Sequence, residues 1–256
     1  MAMKPMAIAL CGLLLLASRA QGLVGGAPLA TEDIARSVIG IVGPNSFFCT
    51  ATAIAHNFVL TAGHCVRSGP NYKVQYKDTN GLREFADIVD WERPPQFILR
   101  ANGANADIAI LKLANSLPDY VGVATLGLSP VQIWPGDRFT VIGGGVALKG
   151  LHETGINRVV ALAAAAPYSD LQIRLVDPSG NQAPIGACFG DSGAPVFQTR
   201  KDGTKVIGVV SWTGTPDKIK GCGSTTGATP LSPYRQWIQE TVSKLGGILG
   251  NAAAPN

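Results

Sequence analysis

Residues Ala187–Phe197 read ACFGDSGAPVF, and the placing of Asp191 and Ser192 between two glycines decides how the rest of the chain is read. Gly190 and Gly193 permit backbone angles closed to residues that carry a side chain. A turn built this way can present one hydroxyl and aim neighbouring backbone N–H groups at a single point. A polar loop between two strands uses the same residue types, and Gly-Asp-Ser-Gly alone does not separate the two readings.

The surroundings are those of a β protein. The chain has 256 residues, 31 of them Gly and 17 Pro, which favours short strands joined by many turns over long helices. Hydrophobic residues make up 46% and charged ones 15%, enough for a sizeable core and against disorder. The formal charge is a modest +4, and no Lys/Arg run is interleaved with aromatics, so nucleic acid is not an expected partner. Apolar segments punctuated by turn residues recur at Ser37–Gly43, Cys49–Ala55, Asn57–Gly63, Asp107–Ala114, Arg138–Gly145, Ile156–Ala166, Ala194–Thr199 and Lys205–Trp212. The last follows KDGT at 201–204, a hairpin signal. Strands at this spacing, without alternating helices, indicate an all-β sandwich or barrel. One helix is predicted, with Ser232 as N-cap, Pro233 at its first position and Gly246 at its end. Tyr234, Trp237, Ile238, Val242 and Leu245 would form its apolar face. Residues 247–256 read as a flexible tail.

Residues 1–20, MAMKPMAIALCGLLLLASRA, follow the pattern of a secretory signal: Lys4, the apolar Met6–Leu16, then small residues. The apolar run is shorter than the ~20 residues that span a bilayer. Cleavage after Ala20 or after Gly22 fits the small-x-small rule, so residues 1–22 comprise a signal peptide, with or without a Gln21-Gly22 dipeptide propeptide. The mature protein is expected to be secreted or periplasmic, with no membrane attachment. Cys11 leaves with the signal, and Cys49, Cys65, Cys188 and Cys222 remain. An even number in an exported chain suggests two disulfides, with three pairings open. Neither cysteine pair has Cys-x-x-Cys spacing and the three histidines are scattered, so no metal site is expected.

Two further stretches change the reading of Ser192. LTAGHC (60–65) places His64 at the end of a strand, and ADIAILKL (106–113) opens an apolar strand with Asp107. Each alone has a structural explanation: a packed histidine, and an aspartate that faces water or is buried with a partner. Together His64, Asp107 and Ser192 supply base, orienting acid and nucleophile, in the chain order of one of the three known triad arrangements.

With LVGG at 23–26, TAGHC, DIAIL, GDSGAPV and SW in this order, the chain resembles the trypsin-like serine proteases of the chymotrypsin fold. The resemblance runs from Leu23 to the C-terminal helix and implies a peptidase domain over 23–246. It implies two six-stranded antiparallel β-barrels with a C-terminal helix, the site lying in the cleft between the barrels. His64 is then the general base, Asp107 its orienter, Ser192 the nucleophile, and the N–H groups of Gly190 and Ser192 the oxyanion hole. Ser211 matches the serine that hydrogen-bonds the acid, and Asp191 the aspartate that pairs with a new N-terminal amine, here that of Leu23. The implied disulfides are Cys49–Cys65 and Cys188–Cys222; so few bridges suggest a bacterial or otherwise minimal member. No cofactor is implied. Protein or peptide substrates, and protein inhibitors, are the implied partners of a monomer.

The chain departs from the common pattern at several places. Gly22, not Lys or Arg, precedes Leu23, so activation by a trypsin-like cut is not encoded and direct exposure of Leu23 by signal cleavage is favoured over dipeptide trimming. The pocket floor position is Gly186, which disfavours Lys or Arg recognition, and the walls are expected from Trp212-Thr213 and Gly227. A branched Thr213 would narrow the pocket towards small or medium apolar side chains. Aromatic acceptance is the second reading, since a one-residue shift puts Gly214 there, and Thr213 on an edge strand could also point away. The GGG run at 143–145 lacks the aromatic common there and has no account from sequence. His56 and His152 read as surface residues. A catalytically silent binding relative and an esterase using the same triad are the alternatives to a peptidase.

Overall fold

The computed structural model describes residues 23–249, apart from 24, 32, 68–70, 101–102, 147–153, 167–168, 170, 181–184, 215–221 and 224. The proposed signal, His152 and residues 250–256 therefore lie outside the described residues. Among those described, no helix is long and apolar enough to cross a membrane.

The apolar runs fold as strands because each can bury its side chains against a closed sheet. In the first half, β1 (Val38–Gly43), β2 (Phe47–Ala55), β3 (Phe58–Thr61), β4 (Lys73–Lys77), β5 (Arg83–Glu92) and β8 (Ala109–Leu113) close in the order β1-β2-β3-β8-β5-β4. A two-stranded ribbon, β6 (Ile98–Arg100) and β7 (Gly103–Asn105), precedes β8. In the second half, β9 (Arg138–Gly143), β10 (Arg158–Ala164), β11 (Ile173–Val176), β12 (Pro195–Arg200), β13 (Gly203–Gly214) and β14 (Thr225–Pro230) close as β10-β11-β14-β13-β12-β9. All strand pairings within them are antiparallel, and closure leaves neither barrel with an open edge. The predicted all-β architecture of two six-stranded barrels is the one observed.

The C-terminal helix α1 (Arg235–Lys244) returns to the first barrel. Ile238, Val242 and Leu245 are buried in one cluster with Phe58, Ile54 and Leu111. Lys112 on β8 donates from Nζ to the carbonyl of Leu245 at 2.6 Å, placing a cation at the helix C-terminus, where the dipole favours it. The helix starts differently from the expectation. Ser232–Tyr234 form a 3-10 turn with Leu231 as its cap, Tyr234 in place of Ser232 is the cap of α1, and neither cap makes a side-chain hydrogen bond. Proline is accepted in that first turn because its missing N–H would have had no partner there. Gly246 ends the helix at φ +80°, as predicted. Gly247 is still tied to the fold: its N–H bonds Val242 O at 2.8 Å, and a Cβ on it would lie 2.1 Å from the Phe58 ring.

Truncating Ile238 to alanine opens a cavity between α1 and the barrel, and should cost about 2–5 kcal/mol. Chemical denaturation should give a lower midpoint with an unchanged m-value.

Candidate active site

His64 sits in the 3-10 turn Gly63–Cys65 that follows β3, and Asp107 lies immediately before β8, not inside a strand. β3 and β8 are paired neighbours, so the two side chains emerge from one end of the same barrel. Ala106 takes a left-handed φ of +49°, and Ile108 N–H bonds Ala106 O at 2.8 Å, making Asp107 the centre of a γ-turn. That turn points the carboxylate inward. It is fully buried and accepts three hydrogen bonds: His64 N–H to Oδ1 at 2.9 Å, His64 Nδ1 to Oδ2 at 2.7 Å, and Ser211 Oγ to Oδ2 at 2.5 Å. A carboxylate only accepts, so Nδ1 carries the imidazole proton and Nε2 keeps its lone pair.

Ser211 reaches across from the second barrel. The β13–β14 register slips between Val210 and Trp212, leaving Ser211 unpaired at a bulge. Such an irregularity re-aims one side chain without breaking the sheet.

The Cys188–Ala194 segment supplies Ser192. Gly190 and Gly193 adopt φ +88° and +86°, the left-handed angles expected of them. Thr50 on β2 stitches this turn to the first barrel. Its N–H bonds Ser192 O at 2.8 Å, its Oγ1 donates to Gly190 O at 2.8 Å, and Gly144 N–H donates to that Oγ1 at 3.1 Å. Among the described residues, the N–H groups of Gly190 and Ser192 have no acceptor, whereas that of Asp191 bonds Cys188 O at 3.1 Å. No hydrogen bond joins Ser192 to His64 among the described residues; Nε2 lies 3.8 Å from Cys65 Sγ. Thr50 escapes a sequence search, because a threonine in CTATAIA reads as a strand former.

Asp191 is fully buried and does not meet the cleft. Gly145 N–H bonds its Oδ1 at 2.9 Å and Cys188 N–H its Oδ2 at 2.8 Å. The GGG run has its explanation here: a Cβ on Gly143 would lie 2.2 Å from Asp191 Oδ1, and one on Gly145 2.6 Å from Asp191 N. Leu23 is also fully buried, in the cluster that contains Ala187 and Ala194 on either side of the turn, though no hydrogen bond joins it to Asp191 among the described residues. Burial raises the Asp191 carboxyl to about 7, against the lowering effect of the two N–H bonds.

The specificity region differs from the expectation at one position. Trp212 pairs with Gly227 and Thr213 with Thr226, and residues opposite each other on a ladder share a face. The Trp212 indole covers Gly227, 2.0 Å from where a Cβ would stand, so Gly227 belongs to the Trp212 face and not to the wall beside Gly186. Thr226 takes that place. Its Oγ1 accepts from Ala187 N–H at 3.0 Å, next to Gly186, whose own Cβ site is filled by Gly223 O at 2.1 Å. The sequence reading missed Thr226 because the bulge at Ser211 shifts the facing by one residue. It also missed Phe189, which is 64% exposed beside Gly190.

Cys49–Cys65 and Cys188–Cys222 are both disulfide-bonded, matching the implied pairing. Cys49, His64 and Cys65 offer atoms within 4.8 Å of one another, but bonded sulfurs provide no thiolate for a metal.

The model of the Trypsin family matches residues 24–238. The chain belongs to the trypsin family. It is a serine endopeptidase, a hydrolase of peptide bonds. It is 25% identical to Serine protease SP24D of Anopheles gambiae (87% of this chain, 82% of that protein) and 24% identical to Lectizyme of Glossina austeni (86% and 86%). It is 29% identical to Chymotrypsin-like elastase family member 1 of Macaca fascicularis (76% and 79%). These relatives are animal proteins, and none supports the bacterial source suggested by the small number of disulfides.

The uncut protease should show a pH signature of Asp191. Its carboxyl is raised in the folded state, so it costs nothing below about pH 4 and its penalty grows as pH rises to about 7. Relative to Asp191→Asn, a chain with the Gly22–Leu23 bond intact should lose stability between those pH values, by on the order of 4 kcal/mol. Unfolding of both proteins at pH 5 and pH 8 checks this, and a constant difference would contradict it.

Proposed function

We propose that the protein is an exported endopeptidase that cleaves after small or medium apolar residues, with Ser192 as nucleophile, His64 as general base and Asp107 as its orienter. The observation that carries this reading is the threefold engagement of the buried Asp107 by His64 and Ser211, which fixes the tautomer with Nε2 unprotonated. Ser192 Oγ attacks the scissile carbonyl carbon while Nε2 takes its proton, and the carbonyl oxygen becomes an oxyanion. The N–H groups of Gly190 and Ser192, without an acceptor among the described residues, receive that charge, each donor typically being worth ~10²–10³ in rate. His64 then returns the proton to the leaving amine, and an acyl ester on Ser192 remains. Water, deprotonated by His64, hydrolyses that ester. The Ser192–His64 hydrogen bond forms when substrate closes the site, since such contacts are commonly loose without it.

Asp191 and Leu23 form the activation pair in this reading. A free amine on Leu23 would supply the cation that a buried carboxyl with two N–H donors lacks, stabilising the turn that carries Gly190. Removal of residues 1–22 as a leader exposes that amine. Two disulfides fit an oxidising compartment. For the pocket, Thr226, bonded to Ala187 next to Gly186, and Thr213 opposite it on the ladder support a shallow site, and one matched relative is named an elastase.

The test is a fluorophosphonate, which labels activated serines, with intact mass and N-terminal sequencing of the exported protein. The expected result is a chain starting at Leu23 with one adduct, on Ser192, and none in Ser192→Ala. A chain that begins at Leu23 and takes no label would replace this reading with the silent relative; hydrolysis of simple esters but not peptides would replace it with the esterase. The pocket has its own test. Replacing Thr213 and Thr226 together by glycine should raise kcat/KM for phenylalanine over alanine at the cleaved position by about tenfold or more.

A further inference from the structure

A cation outside the triad is held against the back of the His64 turn. Arg93 follows β5, and its guanidinium lies between two aromatic faces, 4.8 Å from the Trp91 ring centroid and 4.7 Å from that of Phe97. Its Nη2 donates to the carbonyl of Val66, the residue that closes the His64 turn through a 3.2 Å bond from its own N–H to Gly63 O. Its Nε is buried with no hydrogen-bond partner among the described residues. Phe97 continues the same contact, since a Cβ on Gly63 would lie 2.8 Å from its ring. The charged groups that act on Arg93 are Asp107 and Arg67. Burial, and then Arg67, lower the guanidinium's proton affinity, while Asp107 raises it.

A buried donor left without an acceptor costs stability, and so does a desolvated cation. Packing alone would be served at lower cost by leucine or methionine. What an arginine adds is a fork that can hold a carbonyl while its plane stacks on rings, and a positive charge near Asp107.

We propose that Arg93 is a positioning residue for the peptidase reaction: it anchors the His64 turn through Val66 and holds a positive charge near Asp107, the partner of His64 Nδ1. The proposal rests on the reading of His64 as general base. A neighbouring positive charge disfavours the imidazolium, and removing it makes the local potential more negative, so the imidazole titrates at higher pH. Asp107 acts in the opposite direction and is present in every variant compared.

The test uses the full exported chain and Arg93→Met and Arg93→Lys, with thermal unfolding to establish that each is folded. Arg93→Met should move the acidic limb of kcat/KM to higher pH by about half a unit or more and lower kcat about tenfold, with KM nearly unchanged. Arg93→Lys keeps the charge and loses the fork, so its limb should stay in place while kcat still falls. NMR titration of the His64 ring in a Ser192→Ala background reads the same shift without turnover. An inactive wild type would therefore defeat the hydrolase reading and leave the Arg93 effect on His64 measurable. A folded Arg93→Met with an unmoved His64 midpoint overturns the proposal, as does an Arg93→Lys enzyme equal to wild type in kcat. If Arg93→Met does not fold, the Lys variant alone decides.

Discussion

A carboxylate with no exposed surface, Asp191, constrains the second barrel's half of the cleft. Taking such a group out of water is costly, so everything touching it is arranged to limit that cost. Gly143 and Gly145 leave no side chain where its oxygens must lie, and Gly145 and Cys188 turn their N–H groups towards it. With the carboxyl pinned, the backbone on either side has little freedom. Gly190 must turn through a left-handed angle, and Ser192 follows at a fixed distance from the first barrel. The Cys188–Cys222 bridge ties the start of the same turn to the segment beyond β13.

The two barrels share apolar contact, with Ile142, Phe197, Val206 and Val209 of the second in one buried cluster with the first, and backbone and small hydroxyls complete the join beside Ser192. Thr50 makes three hydrogen bonds to two segments of the second barrel, the Gly190–Ser192 turn and Gly144, and Thr61 Oγ1 holds the carbonyl of Thr50 at 2.9 Å. Gly193 fits against them because it lacks a Cβ: one there would lie 2.0 Å from Thr50 O and 2.2 Å from Thr61 Oγ1. A hydrogen-bonded seam of this kind sets distances more narrowly than apolar contact does, since it is directional. That matters where His64 and Asp107 come from one barrel and Ser192 and Ser211 from the other. The local irregularities fall where they are used, a γ-turn at Asp107 and a bulge at Ser211.

Much of this was legible in the sequence. The apolar runs that became β1, β2, β3, β8, β9, β10, β12 and β13 announce themselves by composition, and the glycines around Asp191 and Ser192 declare a strained turn. Two strands that did not announce themselves were hidden for different reasons. β5 (REFADIVDWE) carries charges on a largely exposed face, and β14 (TTGATP) is polar because its side chains meet other elements instead of solvent. Facing was the other blind spot. Side-chain direction alternates every residue, so a single bulge at Ser211 was enough to exchange Gly227 for Thr226 in the pocket wall. Thr50, Arg93 and the GGG run were opaque because their roles depend on hydrogen-bond partners 27 to 140 residues away, which no local pattern encodes.

The two buried aspartates show how one fold holds charge in two different ways. Asp107 receives three hydrogen bonds from two residues that lie on opposite barrels, and each donor is built into the chain. It is satisfied whenever the barrels are assembled. Asp191 receives two, both from backbone within its own barrel, and burial outweighs them enough to raise its carboxyl to about 7. A carboxyl raised that far is partly protonated near neutral pH, and a cation placed beside it would shift it towards the anion. The glycine run makes this possible. A side chain at Gly143 or Gly145 would push the loop off Asp191, admit water, and remove the burial that makes the group responsive.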